Sequence, residues 1–327
     1  MEVLVTGGAG YIGSVVAERL LEAGHHPVVL DNLSRGHRAA VPPDADFLNV
    51  DLRDRAALAA ALGGRRLDAV MPLAASSLVG ESMEKPGHYF ENNVTAGIHL
   101  VEEAMAAGAD RFVFSSTAAT YGEPDRTPIT EDFPTEPTNV YGESKLAFER
   151  ILQWYRRLKG LRVISLRYFN AAGASAERGE DHDPETHLIP LVLDAAAEGG
   201  ELAIFGGDYP TPDGTCIRDY IHILDLADAH LCAMDAVDRG EGGAFNLGNG
   251  AGFSVKEVVQ VAETVTGKTL RTRVEARRPG DPPALVADSA RARKVLGWAP
   301  AHASLEDILE SAWRWRSMHP GGYGDSA

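Results

Sequence analysis

Short apolar runs alternate with amphipathic stretches along the first half of the chain. Val3-Leu4-Val5-Thr6 is a run of strand length, and after a glycine-rich break Ser14 to Leu21 repeats its apolar residues at helical spacing. The alternation continues through strands at Val28 to Asp31, Asp46 to Val50, Ala69 to Leu73, Arg111 to Ser115 and Arg162 to Tyr168. Helices are expected around Arg55 to Leu62, Asn92 to Ala107 and Ser144 to Arg157. Strand and helix in turn predict an α/β fold built on a doubly wound parallel sheet. After Asn170 the texture becomes a polar loop from Gly173 to Pro184 with little periodicity, which sets an expected boundary between a domain over 1–172 and a smaller α/β domain over 173–327. In a last helix Ser304 can cap and Leu305, Ile308, Leu309, Ala312 and Trp313 form one apolar stripe, so its tryptophans read as core.

The break after the first strand is Gly7-Gly8-Ala9-Gly10-Tyr11-Ile12-Gly13, and the second strand closes on Asp31. Glycines permit the tight turn and the close approach of a pyrophosphate to the helix N-terminus, and an acid roughly 20 residues on holds a ribose hydroxyl. A glycine turn without a ligand is the plainer reading, but the strand, turn and helix around it make the dinucleotide-binding βαβ unit. A carboxylate accepts from a free 2′-hydroxyl and repels a 2′-phosphate, so Asp31 favours NAD over NADP.

Further along, Tyr141 and Lys145 end a Tyr-x-x-x-Lys run. Four positions apart on a helix, they share one face. A neighbouring ammonium favours an ionised phenol, so a tyrosine that starts at about pKa 10 becomes a usable base near neutrality. Phe114-Ser115-Ser116-Thr117 ends the fifth strand at the carboxyl edge of the sheet, where open α/β sheets place their ligands, and delivers hydroxyls there.

Composition narrows the classes. With 327 residues and 44% hydrophobic content, the chain supports one large or two ordinary domains. No stretch approaches the roughly 20 apolar residues of a membrane helix, and Met1 to Val5 runs straight into a strand, so the fold is expected to begin at residue one without a signal segment. Two cysteines, Cys216 and Cys232, predict no disulfide framework and a cytoplasmic setting. A formal net charge of −16 disfavours nucleic acid. Any anionic substrate must then be met locally, and Arg218 and Arg278 are the candidates.

With the glycine loop, Thr117 and Tyr141-x-x-x-Lys145 together, nearly the whole chain resembles the extended short-chain dehydrogenase/reductase family. The second half resembles its branch of UDP-sugar 4-epimerases through Leu166-Arg167-Tyr168-Phe169-Asn170, Leu202 to Thr211, Asp213-Gly214-Thr215, Arg218-Asp219-Tyr220-Ile221-His222 and Arg278-Pro279-Gly280-Asp281. The resemblance implies a Rossmann domain for NAD followed by a UDP-sugar domain, assembled as a homodimer. It implies that Thr117 bonds the reacting hydroxyl, that Tyr141 exchanges its proton, and that Lys145 holds the nicotinamide ribose and lowers the tyrosine pKa. Gly7, Gly10, Tyr11, Ile12, Gly13, Asp31, Asn32, Asp51, Leu52, Leu73, Ala74, Asn92 and Phe169 would line the NAD site with Tyr141 and Lys145. Thr117, Asn170, His187, Leu188, Ala203, Phe205, Arg218, Arg278 and Asp281 would hold the nucleotide sugar, with Leu285 flanking it. Two arginines on a diphosphate give an acidic protein its anion site, since short charge-assisted bonds outweigh a screened long-range field.

The chain departs from the family at Pro72, where histidine is expected, and at Ser77, where some members carry a lysine near the cofactor; both departures imply a weaker hold on NAD. His187 stands where other members have asparagine. His182, Asp183, Glu185 and His187 make a histidine and acid cluster, but redox catalysis by NAD needs no metal and the loop reads as a substrate flap, so no metal is expected. His222, in an apolar strand, reads as structural.

Related sugar-nucleotide dehydratases place Asp-Glu directly after the threonine, because eliminating water needs an extra acid and base. Here those positions are Ala118 and Ala119. A 4-keto sugar formed at this site can only be reduced again, and reduction on its other face inverts carbon 4. The expected reaction is therefore interconversion of UDP-glucose and UDP-galactose. The same residues would serve a UDP-linked uronic acid, pentose or N-acetylhexosamine. A non-catalytic NAD-sensing scaffold on this fold has no need of Thr117, Tyr141 and Lys145 together.

Overall fold

The computed structural model describes residues 1–278 and 281–324. Its first unit alternates as expected: β1 (Glu2–Thr6), α1 (Tyr11–Glu22), β2 (His26–Asp31), β3 (Asp46–Asn49), α2 (Arg55–Leu62), β4 (Ala69–Pro72), α3 (Val79–Glu84), α4 (Pro86–Phe90), α5 (Ala96–Ala106), β5 (Arg111–Thr117), α6 (Val140–Lys159) and β6 (Arg162–Tyr168). The second half adds β7 (Asn170–Ala172), α7 (Leu188–Glu198), β8 (Glu201–Phe205), β9 (Ile217–Arg218), β10 (Tyr220–His222), α8 (Ile223–Asp238), β11 (Gly243–Leu247), β12 (Phe253–Ser254), α9 (Val255–Thr266), β13 (Arg271–Glu275), β14 (Ala284–Leu285), α10 (Ala290–Leu296) and α11 (Leu305–Met318).

Seven parallel strands form the main sheet in the order β11-β6-β5-β4-β1-β2-β3. The Val- and Leu-rich strands are buried because helices cover both faces. One face packs Val15, Val16 and Leu20 of α1 with Leu226, Ala233 and Val237 of α8; the other packs Leu58 of α2, Leu100 of α5 and Phe148 and Leu152 of α6. Strand order reverses between β1 and β4, and the crevice beyond the carboxyl ends of such strands is where open sheets hold ligands. A separate core gathers Ile189 and Val192 of α7, Val258 of α9 and Ile308 and Leu309 of α11, as the apolar stripe predicts.

Three local differences have physical causes. The helix expected from Asn92 opens as a π-helical turn over Glu91–Thr95 before α5 begins. There the buried Asn93 amide donates to Ser76 O (2.9 Å) and Ser144 Oγ (3.0 Å), tying the loop after β4 to α6. Helix α6 starts four residues earlier than expected, because Asn139 caps it by accepting from Gly142 N at 2.8 Å. The polar segment after Asn170 does not end the sheet: Gly243–Leu247 returns to pair with β6, a long-range pairing with no local signature.

Candidate active site

Three glycines shape the crevice at the end of β1. Gly7 sits at φ +70°, and a Cβ there would lie 2.6 Å from Ala74 N. A Cβ on Gly13 would meet Gly7 O at 2.2 Å. Gly10, the N-cap of α1, offers no side-chain cap, so the first amides of the helix stay available to an anion. Beside them Asp31 accepts from Ala9 N (3.1 Å) and Leu33 N (2.8 Å), and burial raises its pKa. A carboxylate has about four lone-pair sites, so it keeps capacity for a ribose. Asn32 donates to Asp51 at 3.1 Å on the same rim, Leu52 is buried behind it, and Asn92 donates to Ser76 Oγ at 3.2 Å. Leu73 N bonds Thr6 O at 3.0 Å, which sets Leu73 and Ala74 against the turn. Tyr11 reaches across to donate to Gly173 O at 2.6 Å, and Ile12 packs on the core beneath. This cradle fits a dinucleotide.

At the centre, Thr117 ends β5 and Tyr141 lies in the first turn of α6, close enough that the Thr117 hydroxyl acts on the phenol's pKa. Desolvation raises the pKa of the half-buried Tyr141 phenol, and the nearby Thr117 hydroxyl lowers it only in part. The structure ties Lys145, on the same helix face, to the strand beside the phenol. Its ammonium donates to Ser115 O at 2.8 Å and stands 5.0 Å from the centre of the Phe114 ring. Burial pulls its pKa down to about 7, against an opposing pull from Glu149. Spacing put the two residues on one face but did not report how dry that face is.

Because folding depresses this lysine from 10.5 to about 7, the folded state binds fewer protons than the unfolded state between those values. Stability of the NAD-free protein should therefore rise with pH over that window. The rise should be smaller in Lys145→Met, as urea titrations at pH 7 and pH 9 would show; equal slopes would contradict the burial account.

Beneath the centre lies a buried network that the sequence reading missed. Arg167 donates to both Glu149 oxygens (3.0 and 2.7 Å) and to Tyr121 Oη (2.9 Å), Ser116 Oγ bonds Glu149, and Tyr121 donates to Asn246 at 2.7 Å. The second half of the chain then closes over the crevice. Phe169 N bonds Leu247 O at 3.1 Å and Asn170 N bonds Asp219 O at 2.9 Å. The Asp219 carboxylate accepts from Asn249, Gly250 and Ala287 amides, which pins this wall. Arg218 pairs with Asp281, and Leu285 of β14 lies opposite Arg218 in register. Arg278 stacks 4.1 Å over Phe205, while Ala203 lies on the same strand. Pro279 and Gly280 of the expected turn lie outside the described residues.

Leu188 opens α7, and His187 precedes it. The histidine and acid cluster takes in Glu180 rather than Asp183. Burial opposes protonation there, but Glu180 and Glu185 outweigh it and push His182 up to about 9 and His187 up to about 10. His222 is buried, accepts from Leu224 N at 3.1 Å and bonds Ser311 at 2.9 Å, with a pKa of about 4 set by desolvation, in keeping with a structural role.

A glycine cradle ending in an acid, with a tyrosine and threonine at the carboxyl edge of the sheet, defines a dinucleotide-dependent enzyme of the short-chain dehydrogenase/reductase type. A model of the NAD dependent epimerase/dehydratase family matches residues 3–248, and the chain belongs to that family. It is 50% identical over 327 residues to UDP-glucose 4-epimerase of Halalkalibacterium halodurans, covering 99% of this chain and 98% of that protein. It is 51% identical over 324 residues to UDP-glucose 4-epimerase of Streptomyces lividans, covering 98% of each. A crystal structure of a UDP-glucose 4-epimerase superposes with a TM-score of 0.97 at 49% identity, covering 99% of this chain and 100% of that one. The Brucella ovis enzyme in complex with NAD gives 0.91 at 46% identity, covering 95% and 97%.

Proposed function

We infer that this chain interconverts UDP-glucose and UDP-galactose with NAD as cofactor. The observation that carries the reading is the Thr117–Tyr141 pair, backed by Ala118 and Ala119, in a chain half identical over nearly its full length to UDP-glucose 4-epimerases. NAD supplies a hydride acceptor and donor and, when oxidised, a cationic ring. The glycine cradle, Asp31, Asn32, Asp51, Leu52, Leu73, Ala74, Asn92 and Phe169 are the residues proposed to hold it. Thr117 orients the reacting 4-hydroxyl and Tyr141 takes its proton at the phenol oxygen; once the 4-keto sugar has turned its other face to the cofactor, the same phenol returns the proton to the C4 oxygen. A phenol raised by desolvation needs nearby positive charge to ionise, and that cationic ring joins Lys145 in providing it. Asn170, His187, Leu188, Ala203 and Phe205 are proposed along the nucleotide sugar. Arg218 and Arg278 meet the diphosphate, with Asp281 holding Arg218 in place beforehand.

We read residues 1–172 with the returning α8 and β11 as the NAD unit and most of the remainder as the UDP-sugar unit. Among the described residues no helix is long and apolar enough to cross a membrane. The homodimer reading draws on Trp154 and Leu158, 58% and 71% exposed on α6, which offer a second copy an apolar face.

Each turnover restores the cofactor, so purified protein should carry NAD and epimerise without added reductant. Denaturing it and finding only NADP, or no nucleotide after saturation with NAD, would refute the cofactor assignment. A second test concerns pocket size. A poor fit of an added acetamide against Leu285 costs about 1–3 kcal/mol by overpacking, roughly a 5- to 150-fold loss. UDP-N-acetylglucosamine should be a measurable but inferior substrate, improved in Leu285→Gly and lost in Leu285→Tyr. A sugar preference constant across the three proteins would show that Leu285 does not flank the sugar.

A further inference from the structure

The strap between β7 and α7 brings Glu180, His182, Glu185 and His187 together, each offering one ligand atom, with all four atoms within 4.8 Å of one another. The separations are short and even. His187 Nδ1 lies 2.8 Å from Glu180 Oε1 and 3.1 Å from Glu185 Oε1, while His182 Nδ1 lies 3.2 Å from Glu180 Oε1 and 3.6 Å from Glu185 Oε2. Donors set tetrahedrally about a zinc ion at its usual bond lengths stand about 3.3 Å from each other. The four histidine–carboxylate separations scatter about that value, with His187 meeting Oε1 of Glu185 and His182 meeting Oε2.

Ion pairs alone would also bring these groups close, but two observations favour a ligand cage. His182 Nδ1 is buried without a hydrogen bond, so its lone pair or proton finds no well-angled partner among the carboxylates beside it. Both carboxylates are withdrawn from water, at 7% and 13% exposure, and a divalent cation would take the place of the protons that they otherwise draw onto the two histidines. Two imidazole and two carboxylate donors suit zinc, whereas calcium and magnesium take six or more oxygens. Glu185 is pre-set for this, since its Oε1 accepts from the Thr186 and His187 amides at 2.6 and 2.7 Å.

We propose that Glu180, His182, Glu185 and His187 bind one zinc-class divalent ion. Protein atoms fill all four positions, so the ion is structural. It reverses the expectation that this cluster holds no metal. Its place explains what it does: His182 meets Tyr11 edge-on with ring centres 6.3 Å apart, and His37 bonds Asp181 O at 3.0 Å, so the ion clamps the strap against the glycine loop and the segment after β2. It also holds His187 through Nδ1 and leaves Nε2 as that ring's free donor. Metal binding is read out independently of any activity on sugars.

The test uses tag-free full-length protein grown with zinc and analysed by elemental mass spectrometry, then stripped with a chelator and titrated with Co²⁺. One equivalent of zinc per chain is expected, with tetrahedral Co²⁺ bands that saturate at one equivalent and vanish on adding Zn²⁺. His182→Ala and Glu180→Gln should each weaken Co²⁺ by more than the roughly 10- to 100-fold ascribed to outer-shell changes. Bound NAD should be retained in both. Substoichiometric zinc with no Co²⁺ bands would overturn the proposal in favour of plain ion pairs. Unchanged affinity in both variants would place the metal elsewhere and overturn it equally.

Discussion

Tyr141→Phe should lower kcat by roughly 10²- to 10⁴-fold, the span of general acid–base catalysis, while NAD remains bound. The substitution keeps the ring in the first turn of α6 and removes only the hydroxyl beside Thr117. Two phenols close by in the fold are already engaged: Tyr168 is buried with its hydroxyl on His230, and Tyr121 is held by Asn246 and Arg167. Lys145→Met should weaken NAD and shift the pH optimum upward, because the phenol then loses the ammonium four residues along its helix face. Near-normal turnover by Tyr141→Phe would show that another group moves the proton.

Arg167→Met should cost about 3–5 kcal/mol of stability, the penalty for leaving a buried charge without its partner. Arg167 and Glu149 are 6% and 7% exposed and share a bidentate contact, which raises the arginine pKa despite its desolvation. The carboxylate left behind would keep only Ser116 as a donor. Replacing both members, Glu149→Leu with Arg167→Met, should recover much of the loss, since no unpaired charge then remains. Urea unfolding of the three variants checks this. A loss near 1 kcal/mol in the single variant would mean that water reaches the pair. Activity should fall too, because Ser116 precedes Thr117 and Glu149 lies one turn beyond Lys145.

How much of this was legible in the sequence depended on whether the signal was local. Val3 to Gly13 and Asp31 declare a strand, a turn and an acid by composition and spacing, and the structure places them around one crevice. Tyr141 and Lys145 were legible as neighbours, but the direction of their pKa shifts depends on burial and on Ser115 O, which spacing does not carry. Arg167 reads in sequence as a polar position inside a strand; only packing shows Glu149 opposite it. Strand β11 was invisible because its partner is far along the chain. The cluster on the strap was seen with Asp183 in it, whereas the fold turns Asp183 outward and brings in Glu180.

The most direct measurement is NMR analysis of purified protein incubated with UDP-glucose and no added nucleotide, followed over time. UDP-galactose should accumulate toward a fixed ratio, the same ratio should be reached from UDP-galactose, and no 4-keto-6-deoxy sugar should build up. A dehydrated sugar as the main product, or an unchanged substrate with NAD bound, would contradict the assignment of Thr117, Tyr141 and the two alanines behind them.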